Sequence, residues 1–226
     1  MYNIAINRNM EQGLLIVIDG PSASGKESII KRVLKDLDKL NIRAISIEET
    51  KEKNYDRKKI LDAKQYGDQE IAKVIINERK KIYQAKVIPQ LSSGIVVIAN
   101  RGEPTTLGYQ TVKNEITMED VWNMHRIQNI PLPDLIVIAN CSVEEAVRRE
   151  SLRKLAKEEK DKNFMSGKFT QANFEKRKQI HSNYEKVKKF LERKGLSVIY
   201  LNTDAMKIPE ESRIIVSFIE KRKQFA

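Results

Sequence analysis

Leu14-Leu15-Ile16-Val17-Ile18-Asp19-Gly20-Pro21-Ser22-Ala23-Ser24-Gly25-Lys26-Glu27-Ser28 is the stretch that decides the fold. Its first five residues are apolar and partly β-branched, which predicts a buried strand. The run breaks at Asp19-Gly20-Pro21. Over residues 26–40, Ile29, Ile30, Val33, Leu34, Leu37 and Leu40 then recur at helical spacing. Between strand and helix stands G-x-x-x-x-G-K, in the one setting where that spacing has a mechanism. Gly20 and Gly25 let the backbone turn tightly, so that successive N–H groups point inward at phosphate oxygens. The helix adds its positive N-terminal end, and Lys26 supplies a mobile charge for the β- and γ-phosphates. The expected cradle is Gly20, Ser22, Ala23, Ser24, Gly25, Lys26, Glu27 and Ser28. Glu27 stands where a hydroxyl residue usually follows the lysine, and the hydroxyl comes one place later. Ser28 is therefore the expected ligand to Mg²⁺, with Glu27 assisting through water.

Outward from this loop, short apolar strands are expected at 44–48, 94–99, 135–139 and 197–201, separated by helical patterns at 68–88, 117–129, 173–194 and 209–223. Pro89 is expected to kink the end of the second helical pattern. Thr117-Met118-Glu119-Asp120 and Ser142-Val143-Glu144-Glu145 have the form of capping boxes. Residues 49–67 read as a loop with short helical pieces. Alternating strands and helices specify an α/β fold: a five-stranded parallel sheet with helices on both faces. The 226 residues suit one domain over 1–226, with a basic helical lid at about 150–172. No internal repeat is visible.

The chain carries a net charge of +11, and residues 148–194 hold sixteen Lys and Arg against seven Asp and Glu. Such a surplus favours a polyanionic ligand. Sparse aromatics in that stretch argue against a single-strand stacking platform, so nucleic acid is not the expected partner. Cys141 is the only cysteine, which excludes an intrachain disulfide and fits a cytoplasmic setting. No apolar run is long enough to span a membrane, and the polar stretch over residues 1–13 gives no expectation of a signal peptide. His125 and His181 lack partners at metal-ligand spacing and read as structural or surface residues. Trp122 reads as core.

Further motifs resemble the thymidylate kinase family of P-loop nucleoside monophosphate kinases. They are Asn100-Arg101 followed by Tyr109-Gln110, Arg79 on the long helix before that strand, and Pro133-Asp134. Val143-Glu144-Glu145-Ala146-Val147-Arg148-Arg149, and Phe174, Arg177 and Tyr184 after the basic stretch, complete the set. The resemblance implies a three-layer P-loop kinase fold, ATP and Mg²⁺ as cofactors, and a nucleoside monophosphate acceptor, dTMP first. It also implies a homodimer. Arg79 and Arg101 would grip the acceptor phosphate, Tyr109 would lie against the sugar, and Gln110 would sit near the base. Lys26, Arg101, Arg149 and Arg153 would neutralise the transferring phosphoryl group. Three positions depart from the family pattern. Ser22 replaces an Asp, Glu48-Glu49-Thr50-Lys51 replaces an Arg-x-Pro-Gly-Gly segment, and Asn100 replaces the Asp of Asp-Arg. Glu48, at the end of the second strand, would suit a general base if the acceptor were a neutral deoxynucleoside hydroxyl. The remaining alternative is a non-catalytic P-loop protein that binds nucleotide or nucleic acid.

Overall fold

A computed structural model describes residues 13–53, 55–158 and 171–224, without the side chains of 157, 158 and 172. Five strands form one parallel sheet: β1 (Leu15–Asp19), β2 (Ala44–Glu48), β3 (Val96–Asn100), β4 (Leu135–Asn140) and β5 (Val198–Asn202). Their spatial order is β2-β3-β1-β4-β5. Every strand ends on a short acidic or amide residue after an apolar run: Asp19, Glu48, Asn100, Asn140, Asn202. The apolar residues fill the sheet interior and the polar ones fringe its carboxyl edge. Chain connections diverge to either side of β1 at that edge, which opens a crevice suited to a ligand.

Alternation along β1 divides the core. Ile16 and Ile18 face α1 (Lys26–Lys39) and α9 (Ile208–Gln224), where Ile29, Val33, Leu37, Ile215 and Ile219 are buried. Leu15 and Val17 face the opposite layer, with Ile76, Leu107, Val121, Tyr184 and Val187. That layer comprises α3 (Asp68–Ile82), α5 (Glu103–Gln110), α6 (Met118–Ile127) and α8 (Gln171–Arg193). Between β2 and α3 lie a 3₁₀ turn at Glu49–Lys51 and the short α2 (Arg57–Ala63), as expected for that segment. One expected capping box is complete and the other is half formed, because the Ser142 amide donates to Asp204 and not to Glu145. Thr117 and Asp120 exchange bonds at the start of α6, and the Ser142 hydroxyl accepts from the Glu145 amide ahead of α7 (Val143–Glu158). Trp122 is partly buried and meets Phe190 edge-on.

A π-helical turn at Tyr83–Val87 precedes Pro89 and carries the chain on into α4 (Ile88–Ser92), with the proline in the first turn of that segment. The helix α5 was not foreseen, because Pro104, Thr105, Thr106 and Gly108 are weak helix formers. Of the lid expected at about 150–172, residues 159–170 lie outside the described residues. Among the described residues, no helix is long and apolar enough to cross a membrane.

Candidate active site

The loop after β1 is built as its sequence requires. Gly20 has φ +152°, and a Cβ there would lie 2.0 Å from the Ala139 carbonyl oxygen. Gly25, at φ 93°, caps α1 in the left-handed conformation. The Ser28 amide already bonds the Gly25 carbonyl at 2.9 Å, and the two amides before it, at Lys26 and Glu27, precede the intrahelical ladder. Lys26 is buried, and its ammonium folds back to donate to the carbonyls of Gly20 and Pro21 at 3.3 and 3.1 Å. Burial, reinforced by the Arg101 guanidinium, lowers its pKa from 10.5 to about 8. These long bonds to neutral carbonyls leave Lys26 without a directly paired carboxylate, although Asp19 and Glu27 offset part of the burial penalty, and a phosphate oxygen could replace them. An open cleft of about 280 Å³ joins Lys26 to Glu27, Ser28, Arg149, Leu152 and Arg153.

Asp19, one residue before the loop, is the hub beneath it. This buried carboxylate accepts from the amides of Gly20, Gly102 and Thr105 at 2.6, 2.9 and 2.9 Å. It also accepts from the hydroxyls of Thr105 at 2.7 Å and Tyr184 at 2.9 Å. One side chain thus ties β1, the turn after β3 and α8 together. Sequence reasoning read Asp19 only as a strand end. Its signal was a charge closing an otherwise apolar strand.

Arg101 follows β3 at φ 81°, a left-handed conformation that costs a non-glycine residue energy and concentrates at functional sites. Its amide is held by the Ile18 carbonyl at 3.1 Å. Its Nη1 approaches the Thr105 hydroxyl at 3.5 Å, and nearby Tyr109 stands edge-on to Tyr184 with ring centroids 6.3 Å apart. Gln110 is half-buried at the end of α5. Ser22 and Tyr109 share a second cavity of about 390 Å³ with Lys154, Lys176, Arg177 and His181.

Arg79 is engaged inside the fold. It is 1% exposed, and its guanidinium forms two parallel bonds to Glu49, at 2.6 and 3.1 Å. A third donor, Nη1, meets Thr106 Oγ1 and His125 Nε2, both at 3.1 Å. Arginine can only donate, so the His125 Nε2 is the acceptor and the ring proton sits on Nδ1. Burial and the neighbouring Arg79 hold His125 well below its ordinary pKa, hence neutral. Burial also pushes the Glu49 carboxyl upward, against the pull of Arg79. An acceptor phosphate would have to displace Glu49 to reach this arginine in the arrangement seen here.

Arg149 is likewise committed. Its Nε donates to Glu145 at 2.7 Å, and its two Nη groups donate to the Thr203 hydroxyl and carbonyl at 2.9 and 2.8 Å. Thr203 in turn donates to the Ser24 carbonyl at 2.9 Å. Arg149 therefore braces the turn after β5 against the phosphate loop and forms a wall of the donor cleft. Arg153 lines the same cleft.

Glu48 pairs across the sheet with Asn100, whose amide donates to it at 3.0 Å. Burial works to raise its carboxyl, but Lys51, Thr50 and Asn100 together hold it below the usual range. A carboxylate so tied is a weak proton acceptor, which argues against its use as a general base.

A sequence model of the thymidylate kinase family matches residues 18–200. Curated thymidylate kinases are similar over much of their length. That of Leptospira interrogans serovar copenhageni is 26% identical over 177 residues, 77% of this chain and 81% of its own. Those of Brachyspira hyodysenteriae and Clostridium novyi are each 29% identical, over 61% and 63% of this chain and 68% and 72% of theirs. The matched span runs from the end of β1 through the phosphate loop, the Asn100-Arg101 turn and α8, the elements that converge on the crevice, and it makes the chain a member of the thymidylate kinase family.

Proposed function

We propose that this chain transfers the γ-phosphoryl group of MgATP to dTMP, giving ADP and dTDP. One observation carries the reading. A buried lysine bonded only to backbone carbonyls, in a loop shaped for phosphates, lies near an arginine held in the left-handed conformation at the carboxyl edge of the sheet. Lys26 and the α1 amides would hold the donor phosphates, and Arg101 would meet the acceptor phosphate from the other side. An oxygen of that phosphate attacks the γ-phosphorus, the bond to the bridging β–γ oxygen breaks, and its electrons leave with ADP. The attacking oxygen is already ionised near neutral pH, so no general base is required; positioning and charge neutralisation supply the acceleration. Tyr109 would lie against the sugar and Gln110 near the base.

Mg²⁺ fits the donor side. Ser28 and Glu27 present exposed oxygens in the first turn of α1, the hard donors this ion prefers. Among the described residues, no group of three His, Cys, Asp or Glu could cage a metal, so the nucleotide phosphates would supply most of its ligands. When bound, the ion neutralises charge on the β- and γ-phosphates. The reading extends to a cytoplasmic enzyme acting as one domain and as a homodimer; the free, buried Cys141 accords with a reducing compartment.

The test is ADP release from MgATP with dTMP, dUMP, CMP, AMP, thymidine and deoxycytidine. The expected result is turnover led by dTMP. Equal background with every acceptor would sink the kinase reading, and preference for thymidine over dTMP would return Glu48 to the role of base.

A further inference from the structure

The cavity of about 390 Å³ that Ser22 and Tyr109 share is separate from the donor cleft. Arg149 and Arg153 of α7 line the cleft, whereas Glu150 and Lys154, one residue on from each, line the cavity. From α8 come Lys176, Arg177 and His181, on one face of that helix. The wall thus carries three fixed cations and one carboxylate. Glu150 is already paired with Arg177 and, at 3.5 Å, with Lys154. Lys176 is exposed and makes no ion pair among the described residues. His181 is 6% exposed, and its Nδ1 lies 2.9 Å from the Cys141 carbonyl oxygen. A carbonyl only accepts, so the ring proton sits on Nδ1. Nε2 makes no hydrogen bond among the described residues, and that side of the ring is left for the cavity. His125 differs, because Arg79 occupies its Nε2.

We propose that this cavity is a second anion site, which takes a phosphate-class oxyanion on His181 Nε2, the Lys176 ammonium and the Ser22 hydroxyl. The oxyanion is either free or carried by the acceptor. Tyr109, set against the sugar in the kinase reading, lines the same cavity. A deoxynucleotide has one sugar hydroxyl left, so an acceptor-borne second phosphate is a 3′-phosphate. That source rests on the kinase reading above; a free anion does not. Nε2 donates only from a protonated ring. Burial holds His181 below its ordinary pKa, while the Cys141 carbonyl works to raise it; the Arg177 charge adds to the lowering, and Asp204 and Glu144 oppose it. Lys154, Lys176 and Glu150 face the ring from the cavity wall. A bound oxyanion stabilises the charged ring, so binding takes up a proton and tightens as pH falls through the midpoint of the bound state.

The chain has two histidines, so NMR of the imidazole protons follows His181 with His125 as internal control. The probe is sulfate, which keeps its charge across the titration. Saturating sulfate should raise the His181 midpoint by about one pH unit, equivalent to tenfold tighter binding to the charged ring. The rise should persist in Lys26→Met, which disables the donor loop, and shrink in Lys176→Glu. Calorimetry at about pH 6 then separates the sources by comparing thymidine 3′,5′-bisphosphate with dTMP. Binding of the bisphosphate about tenfold tighter, cancelled by Lys176→Glu and by His181→Asn, assigns the phosphate to the acceptor; Asn keeps a donor for the Cys141 carbonyl. Equal affinities with the sulfate effect intact assign a free anion. An unmoved His181 midpoint with equal affinities, or a rise that Lys26→Met abolishes and Lys176→Glu leaves whole, would overturn the site. A wild-type chain with no turnover on any monophosphate would remove the kinase reading and the acceptor-borne source, and leave the sulfate result standing.

Discussion

Lys26 and Arg79 are both buried cations beside the same crevice, one on the donor side and one on the acceptor side, and they are kept for opposite purposes. Lys26 is bonded only to two carbonyl oxygens, and its pKa is drawn down to about 8 by burial. Arg79 is matched by the Glu49 carboxylate in a two-bond fork. A buried charge without a counter-charge costs stability, and a fold retains it where a ligand supplies the missing partner. A buried charge with its partner in place is architecture. The family pattern assigns both side chains to substrate, so the contrast makes Arg79 the residue whose role most needs testing.

The sharpest way to break this contrast is to remove both charges at nearly constant shape. Lys26→Met should lower kcat/KM by about 10³-fold, the scale of losing a main electrostatic contact to the transferring group, while the melting temperature stays level or rises. A loss under tenfold would end the donor assignment. Arg79→Met should do the reverse and destabilise the fold by about 3–5 kcal/mol, because Glu49 is left buried and alone; urea unfolding measures this. Unchanged stability with a raised KM for dTMP would restore Arg79 to the substrate.

Tyr184→Phe should cost about 1–2 kcal/mol, from one hydrogen bond to a buried carboxylate. Its sharper readout is amide exchange in α8 and in the loop after β1, which should rise together if Asp19 couples them. The smallest effect is in proton linkage. The Lys26 pKa is lowered in the unliganded fold, and bound phosphate restores its charge, so ATP binding should take up protons above about pH 8. Calorimetry in buffers of different ionisation enthalpy reads this uptake. The same shift bears on stability. Between about pH 8 and 10.5 the unfolded chain holds the Lys26 proton that the unliganded fold has released. This group's contribution therefore rises with pH across that window.

The donor side was legible because its parts are contiguous. A strand, a turn with two glycines, a lysine and a helix start lie within one short stretch, and backbone geometry follows from local residue type. The sheet was legible because apolar runs and helical spacing record burial directly. The rest depends on partners far apart in the chain. Glu49 and Arg79 are 30 residues apart and Asp19 and Tyr184 are 165 apart, and nothing local to any of them announces the pair. Arg149 and Thr203 are a similar case, 54 residues apart. Helix α5 was missed for the same reason: its residues are poor helix formers, and Gly108 is accommodated by packing, since a Cβ there would lie 2.7 Å from the Tyr184 ring. Tertiary context overrode propensity.

The most direct test of the central claim is product stoichiometry. Incubated with MgATP and dTMP, the chain should form ADP and dTDP in equal amounts, and Lys26→Met should form neither above background. ADP accumulating without dTDP, or dTMP appearing from thymidine while dTMP itself is left unphosphorylated, would contradict it.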